Sequence, residues 1–208
     1  MLTSTQTITF LLMAMLLTST PGPDNLMVLS VSLARGRRAG LAFGLGCAVG
    51  CLSHTVLAVV GIGALLAASP MALTVLKSAG GLYLMYLGVQ ALRHAGSARS
   101  GAQTAESQSS WQFFMKGLVA NAINPKVVLF FLSFLPQFVV AANGHTEWQL
   151  GLLGGLFSLQ AALIFGLLAY FSGKVGVWLN TRPSRGLWLD RLAGTVFLGL
   201  GARMLASR

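Results

Sequence analysis

The chain has 208 residues, 55% of them hydrophobic and 9% charged, with a mean hydropathy of +0.75. A soluble domain carries about 25% charged residues, so the composition excludes an ordinary soluble fold and points to an all-α polytopic membrane protein in one domain. A formal charge of +10 would suggest nucleic acid in a soluble protein, but here the basic residues flank apolar runs, as the positive-inside rule describes, and no nucleic-acid partner is expected.

The N-terminus, Met1 to Gln6, lacks the basic region of a cleaved signal peptide, so the first apolar run is expected to stay. That run covers about 8–33, more than the roughly 20 helical residues that cross a bilayer. Span 1, about 5–33, is interrupted near its middle by Ser19, Thr20, Pro21, Gly22, Pro23, Asp24 and Asn25. Each proline removes a backbone donor and clashes with the preceding turn, so a continuous helix is not expected there. Backbone that leaves the helix at membrane depth is tolerated only where protein or a water-filled cavity covers it. A carboxylate at that depth, Asp24, costs on the order of 2.5–3.5 kcal/mol on insertion scales and reads as functional.

Arg35, Gly36, Arg37 and Arg38 form the first turn between spans. Span 2, about 40–67, is rich in small residues, which let helices approach closely in lipid. Ser69 and Pro70 make a short turn into span 3, about 73–92, and residues 93–111 read as a flexible linker rich in Ser, Ala, Gly and Gln. Span 4, about 113–140, is interrupted by Asn124, Pro125 and Lys126. A polar turn over 143–147, span 5 (about 148–171), a basic segment over 174–191 and span 6 (about 187–206) complete the chain.

Arg35, Arg37, Arg38, Arg93, Arg99, Lys116, Lys174, Arg182, Arg185 and Arg191 fall on one side of this layout, against Lys77, Arg203 and Arg208 on the other. The first set is expected in the cytoplasm, with both termini outside. Spans 1–3 (repeat 1, about 1–92) and 4–6 (repeat 2, about 112–208) look like repeats joined by the linker. Gly81, Leu87, Gly88 and Leu92 match Gly194, Leu200, Gly201 and Leu205, while Pro23-Asp24 falls where Pro125-Lys126 falls. Three spans per half make the halves inverted, and paired broken helices in such halves mark a transporter's midplane site.

Thr20-Pro21-Gly22-Pro23, the Gly-x-Tyr-Leu-x-Tyr-Leu-Gly of residues 81–88, and Asn124-Pro125-Lys126 followed by Phe130, Phe131 and Leu135 to Phe138 resemble the lysine exporter / homoserine–threonine resistance (LysE/RhtB) family over essentially the whole chain. The resemblance implies a bacterial inner-membrane exporter of amino acids or close derivatives, driven by the proton gradient.

The residues suit such a substrate. A half-helix beginning near Asp24 or Asn25 offers free backbone N–H groups and a positive dipole end to a carboxylate. Ser19, Thr20, Asn25, Asn121 and Asn124 add neutral hydrogen-bonding groups. Asp24 can pair with a substrate ammonium when ionised, or carry the coupling proton when neutral. Lys126 can contact the substrate carboxylate or neutralise Asp24. His54, an imidazole inside a span, is the second candidate proton carrier, and Leu26, Phe130 and Phe131 are expected to favour uncharged side chains. The site set is therefore Thr20, Pro21, Gly22, Pro23, Asp24, Asn25, His54, Asn121, Asn124, Pro125 and Lys126, with no cofactor and no resident metal.

Cys47, Cys51 and His54 share one helix face, which keeps export of a divalent or soft metal ion as the alternative. Packing is the simpler reading of the two thiols. No nucleophile–base pair or phosphate loop suggests an enzyme. Glycine-rich faces can pack within one protomer or between two, which leaves a homo-oligomer open.

Overall fold

The computed structural model describes residues 2–20, 22–68, 70–93, 108–181 and 183–206. Pro21, the expected Ser69 turn, most of the expected linker with Arg99, and Arg182 and Arg208 of the charge tally lie outside them. Among the described residues the fold is all-helical. Helix α1 (Ser4–Ser19) opens with a capping box, Thr3 bonding the Gln6 backbone while the Gln6 side chain returns to Thr3. Helix α2 (Pro23–Arg35) follows after the break and ends at Gly36, whose φ of +87° favours glycine. Helices α3 (Arg37–Ala68) and α4 (Pro70–Arg93) complete the first half.

The second half starts with α5 (Ser110–Ala122), capped by Ser109 and Gln112 in the same reciprocal way, and breaks before α6 (Pro125–Leu129). Then come α7 (Thr146–Tyr170), α8 (Ser172–Thr181) and α9 (Pro183–Ala206). Among the described residues two helices can, by length and composition, cross a membrane unaided, over Arg37–Gly61 and Thr146–Tyr170. The pair Ser110–Ala122 and Lys126–Phe138, bent by 52° at the break, passes as a third. Helix α1 is apolar but shorter.

Two details depart from the sequence reading. The stretch after Lys126 is not one α-helix: five residues of α6 widen into a π-helical turn, Phe130–Phe134, and tighten into a 3-10 turn, Leu135–Phe138. Pro136, with no N–H to give, sits at the start of the tight turn. The wide turn buries Phe130, Phe131 and Phe134 together, with ring centroids 5.0 Å apart for Phe130 and Phe134. The basic segment after Phe171 is also helical, forming α8 and the start of α9.

Helix α3 packs along both α5 and α7, and α1 and α2 lie against α7 and α3. The α3–α5 contact is backbone on backbone. A Cβ added at Gly46 would fall on the Phe114 carbonyl, and one at Gly117 on the Phe43 carbonyl. Glycine at both positions is what lets the helices touch, and it brings the end of α5 against Cys51 and His54 of α3. Helices α4 and α9 meet in the same manner: a Cβ at Gly88 would lie 2.8 Å from the Gly194 carbonyl, and one at Gly194 2.8 Å from that of Gly88. Gly81 and Gly201 face each other likewise, so the two helices run antiparallel.

Candidate functional site

Both interrupted helices break where their prolines require it. At the first break α1 ends with Thr20, whose N–H and hydroxyl both donate to the Leu16 carbonyl, at 3.0 and 2.6 Å. Gly22 is extended and Pro23 opens α2. No side chain caps this helix start, and Asp24 stands in its first turn, where a carboxylate complements the helix dipole. At the second break α5 ends at Ala122, and the Asn124 side chain caps α6 by accepting from the Lys126 N–H at 3.0 Å. The two breaks thus differ: α6 is capped by its own chain and α2 is not.

A helix leaves its last four carbonyls without intrahelical partners. At the end of α1 other elements meet this need. Lys126 Nζ donates to the Leu17 and Thr20 carbonyls at 3.0 and 3.2 Å, and Asn25 Nδ2 donates to the Thr18 carbonyl at 2.8 Å. Lys126 is 8% exposed and lies 5.3 Å from the centre of the Phe197 ring. At the end of α5 the Asn121 carbonyl accepts from the Asn124 N–H at 2.8 Å and from His54 Nε2 at 3.0 Å. A carbonyl only accepts, so Nε2 carries the hydrogen; His54 Nδ1 is buried with no partner.

Asp24 and Asn121 meet between the breaks, Asn121 Nδ2 donating to Asp24 Oδ2 at 2.8 Å across 97 residues of sequence. Asn121 Oδ1 is buried without a partner. The pair opens on a cavity of about 20 Å³. That volume holds about one water. Its wall comprises Leu17, Thr18, Gly22, Pro23, Asp24, Asn25, Cys51, Asn121, Asn124, Lys126, Val127, Phe157, Ala161 and Phe165.

Of the residues expected from sequence, Gly22, Pro23, Asp24, Asn25, Asn121, Asn124 and Lys126 therefore share one wall. Thr20 is buried beside it, bonded to Leu16 and Lys126. Pro125 contributes backbone by opening α6, and Pro21 is outside the described residues. His54 stands behind Asn121, its ring 5.7 Å from that of Phe131. Lys126 and Asp24 share the wall, yet the partners of Lys126 are the α1 carbonyls and that of Asp24 is Asn121.

The expected selectivity residues are elsewhere. Leu26 is exposed, and Phe130 and Phe131 sit in an aromatic cluster off the wall, while Phe157 and Phe165 of α7 face the cavity. Thr18 and Gln160 were not legible as a pair: Gln160 Nε2 donates to Thr18 Oγ1 at 2.8 Å, deep in the protein. A buried glutamine inside an apolar span is the signal that points to it. Cys51 gives its thiol hydrogen to the Cys47 carbonyl at 3.4 Å. Among the described residues no group of three or more His, Cys, Asp or Glu side chains converges as a metal site would need.

Apolar helices, two of them long enough to span a bilayer among the described residues and others broken around a cavity that carries buried polar side chains, define an integral membrane protein of the helical class. Its family follows from comparison: the model of the LysE type translocators matches residues 15–208, and the chain belongs to that family. An uncharacterized membrane protein of Pseudomonas aeruginosa is 32% identical over 88% of this chain and 87% of its own. The homoserine/homoserine lactone efflux protein of Salmonella typhimurium is 29% identical over 96% and 95%. The leucine efflux protein of the same organism is 26% identical over 94% and 92%. No solved structure matches the chain.

Proposed function

We propose that this protein exports amino acids or close derivatives across the bacterial cytoplasmic membrane in exchange for protons. The observation that carries the reading is the cavity between the two breaks, where the Asp24–Asn121 pair stands beside the uncapped start of α2. An amino acid has groups for both. Its ammonium pairs with the Asp24 carboxylate, and its carboxyl oxygens take the N–H groups of Asp24 and Asn25, which have neither helical partners nor a capping side chain. Relatives named for leucine efflux and homoserine efflux support this assignment. The apolar wall of Leu17, Val127, Phe157, Ala161 and Phe165 favours an uncharged side chain.

The chain works in this reading as one domain of six spans in two inverted halves, with the linker in the cytoplasm and both termini outside. The α4–α9 contact supports the inversion. Superposing the halves by Gly81 on Gly194 and Gly88 on Gly201 maps the Gly81–Gly201 contact onto the Gly88–Gly194 contact. Asp24, with His54 behind it, carries the coupling proton. One charge crossing 100 mV releases about 2.3 kcal/mol, enough for a gradient of roughly fiftyfold in a neutral zwitterion. Inverted vesicles with an acid interior are expected to accumulate labelled leucine, threonine or another neutral amino acid and to release it when a protonophore is added. Absence of protonophore-sensitive uptake across the full amino-acid panel, in correctly inserted protein, overturns the proposal.

A further inference from the structure

The end of the protein where α3 begins and α7 passes into α8 carries a cluster that the cavity does not use. Phe171 joins the two later helices: its N–H donates to the Leu167 carbonyl and its own carbonyl accepts from the Val175 N–H, each at 2.9 Å. Tyr170 and Phe171 stand edge to face, with ring centroids 4.9 Å apart at 86°. A cation rests on each ring. The Arg37 guanidinium, from the start of α3, lies 4.9 Å from the Tyr170 centre, and Lys174 Nζ, from α8, lies 5.9 Å from that of Phe171. Ring faces attract cations, so two long side chains, one from each half of the chain, are drawn to one aromatic pair. Of the described acidic side chains, Asp24 is buried at the first break and Glu147 stands at the far end of α7, so neither neutralises them.

An apolar track leads to this cluster. Leu159, Leu163, Leu167 and Phe171 recur every fourth residue, which places them on one face of α7, and they are 61, 62, 57 and 41% exposed. From Leu159 to Phe171 the helix rises about 18 Å, against about 15 Å for one leaflet's share of the hydrocarbon core. The face is therefore about one leaflet deep and ends at the cations. A soluble anion would use the charges alone, whereas an anionic phospholipid uses both the charges and the track.

We propose that Arg37 and Lys174, held on the Tyr170–Phe171 pair, bind the headgroup phosphate of an anionic phospholipid whose acyl chains lie along Leu159, Leu163 and Leu167. Arg37 offers a planar fork of donors to the phosphate oxygens and Lys174 a compact charge. A zwitterionic lipid is disfavoured, because its own ammonium would face the two cations. The bound lipid bridges the two halves, since α3 belongs to one and α7 and α8 to the other. This surface rests on the chain's place in a membrane and is independent of the export reading.

The test titrates delipidated full-length protein in detergent with phosphatidylglycerol or with phosphatidylcholine of the same acyl chains, and follows the first bound lipid by native mass spectrometry. A cation near an anionic surface contributes a factor of about five, so the pair predicts phosphatidylglycerol binding at least about tenfold more tightly. Arg37→Gln combined with Lys174→Gln is expected to bring the two lipids within about threefold of each other. Arg93→Gln combined with Lys116→Gln removes the same charge elsewhere and should leave the wild-type ratio; all four side chains are exposed. Equal wild-type affinities for the two lipids, or an equal loss in the Arg93 and Lys116 variant, overturns the inference. So does displacement of the lipid by glycerol 3-phosphate at equal concentration, the mark of a soluble-anion site.

Discussion

Removing the Lys126 ammonium separates a helix cap from a substrate ligand, because the two roles predict opposite changes in the empty protein. Lys126→Met keeps the apolar stem and deletes the charge. The Leu17 and Thr20 carbonyls then lose their donor at a site 8% exposed. Each buried acceptor left unpaired costs about 1–3 kcal/mol, so the variant is expected to be less stable by roughly 2–6 kcal/mol. At about 2–4 °C per kcal/mol for a chain of this size, the unfolding midpoint falls by roughly 4–24 °C. The assay is size-exclusion chromatography of detergent-solubilised protein after stepwise heating. Lys126→Arg, which retains charge and donors, should recover part of the loss. A lysine held in reserve for a substrate carboxylate would be a buried charge without a partner, and its removal would leave the midpoint unchanged or raise it. An unchanged or raised midpoint in Lys126→Met therefore refutes the capping argument.

Two further outcomes follow from the same geometry. Asp24→Asn is expected to abolish accumulation driven by an acid vesicle interior while exchange at high substrate concentration persists; gradient-driven uptake at the wild-type rate would remove Asp24 from coupling. Gly117→Val forces a Cβ onto the Phe43 carbonyl and drives α5 off α3; overpacking of this kind costs about 1–3 kcal/mol or more. The monodisperse chromatographic peak and the transport activity should both decline, and a wild-type profile for both would contradict the close backbone contact.

The breaks are the most legible part of the sequence because proline acts locally. Pro23 and Pro125 both stand at the first position of the helix that follows them, and the interrupted segments begin and end there. The partners of the charged groups are not local. Lys126 reaches carbonyls 109 and 106 residues away, and Asn121 reaches Asp24 across 97, so no spacing rule announces either bond. The α7 side of the cavity is hidden for a different reason. Phe157, Ala161 and Phe165 recur at four-residue intervals on one face, but α7 is apolar on all its faces, and such a helix gives no stripe to mark which side is buried in protein. In the winding after Lys126 three aromatic rings, Phe130, Phe131 and Phe138, pack around Phe10 and Phe157, which a hydropathy pattern does not encode.

The insertion cost that makes His54, Lys126 and Asp24 stand out in sequence is offset in different ways. The breaks are closed crosswise. Lys126, from the second half, supplies donors to the end of α1, and His54, from the first half, supplies one to the Asn121 carbonyl at the end of α5. Backbone that stops at membrane depth costs several kcal/mol for each group left unpaired, so each half provides what the other half's broken helix lacks. Two of the three ionisable residues are thereby accounted for by the architecture of the breaks. Asp24 is not: its carboxylate caps no α1 or α5 carbonyl, receives one hydrogen bond from Asn121, and stands on the cavity wall next to an acceptor that has no donor. Asp24 is therefore the charged residue of the three that the proposed export leaves for the substrate, and its replacement by asparagine is the variant that tests that role.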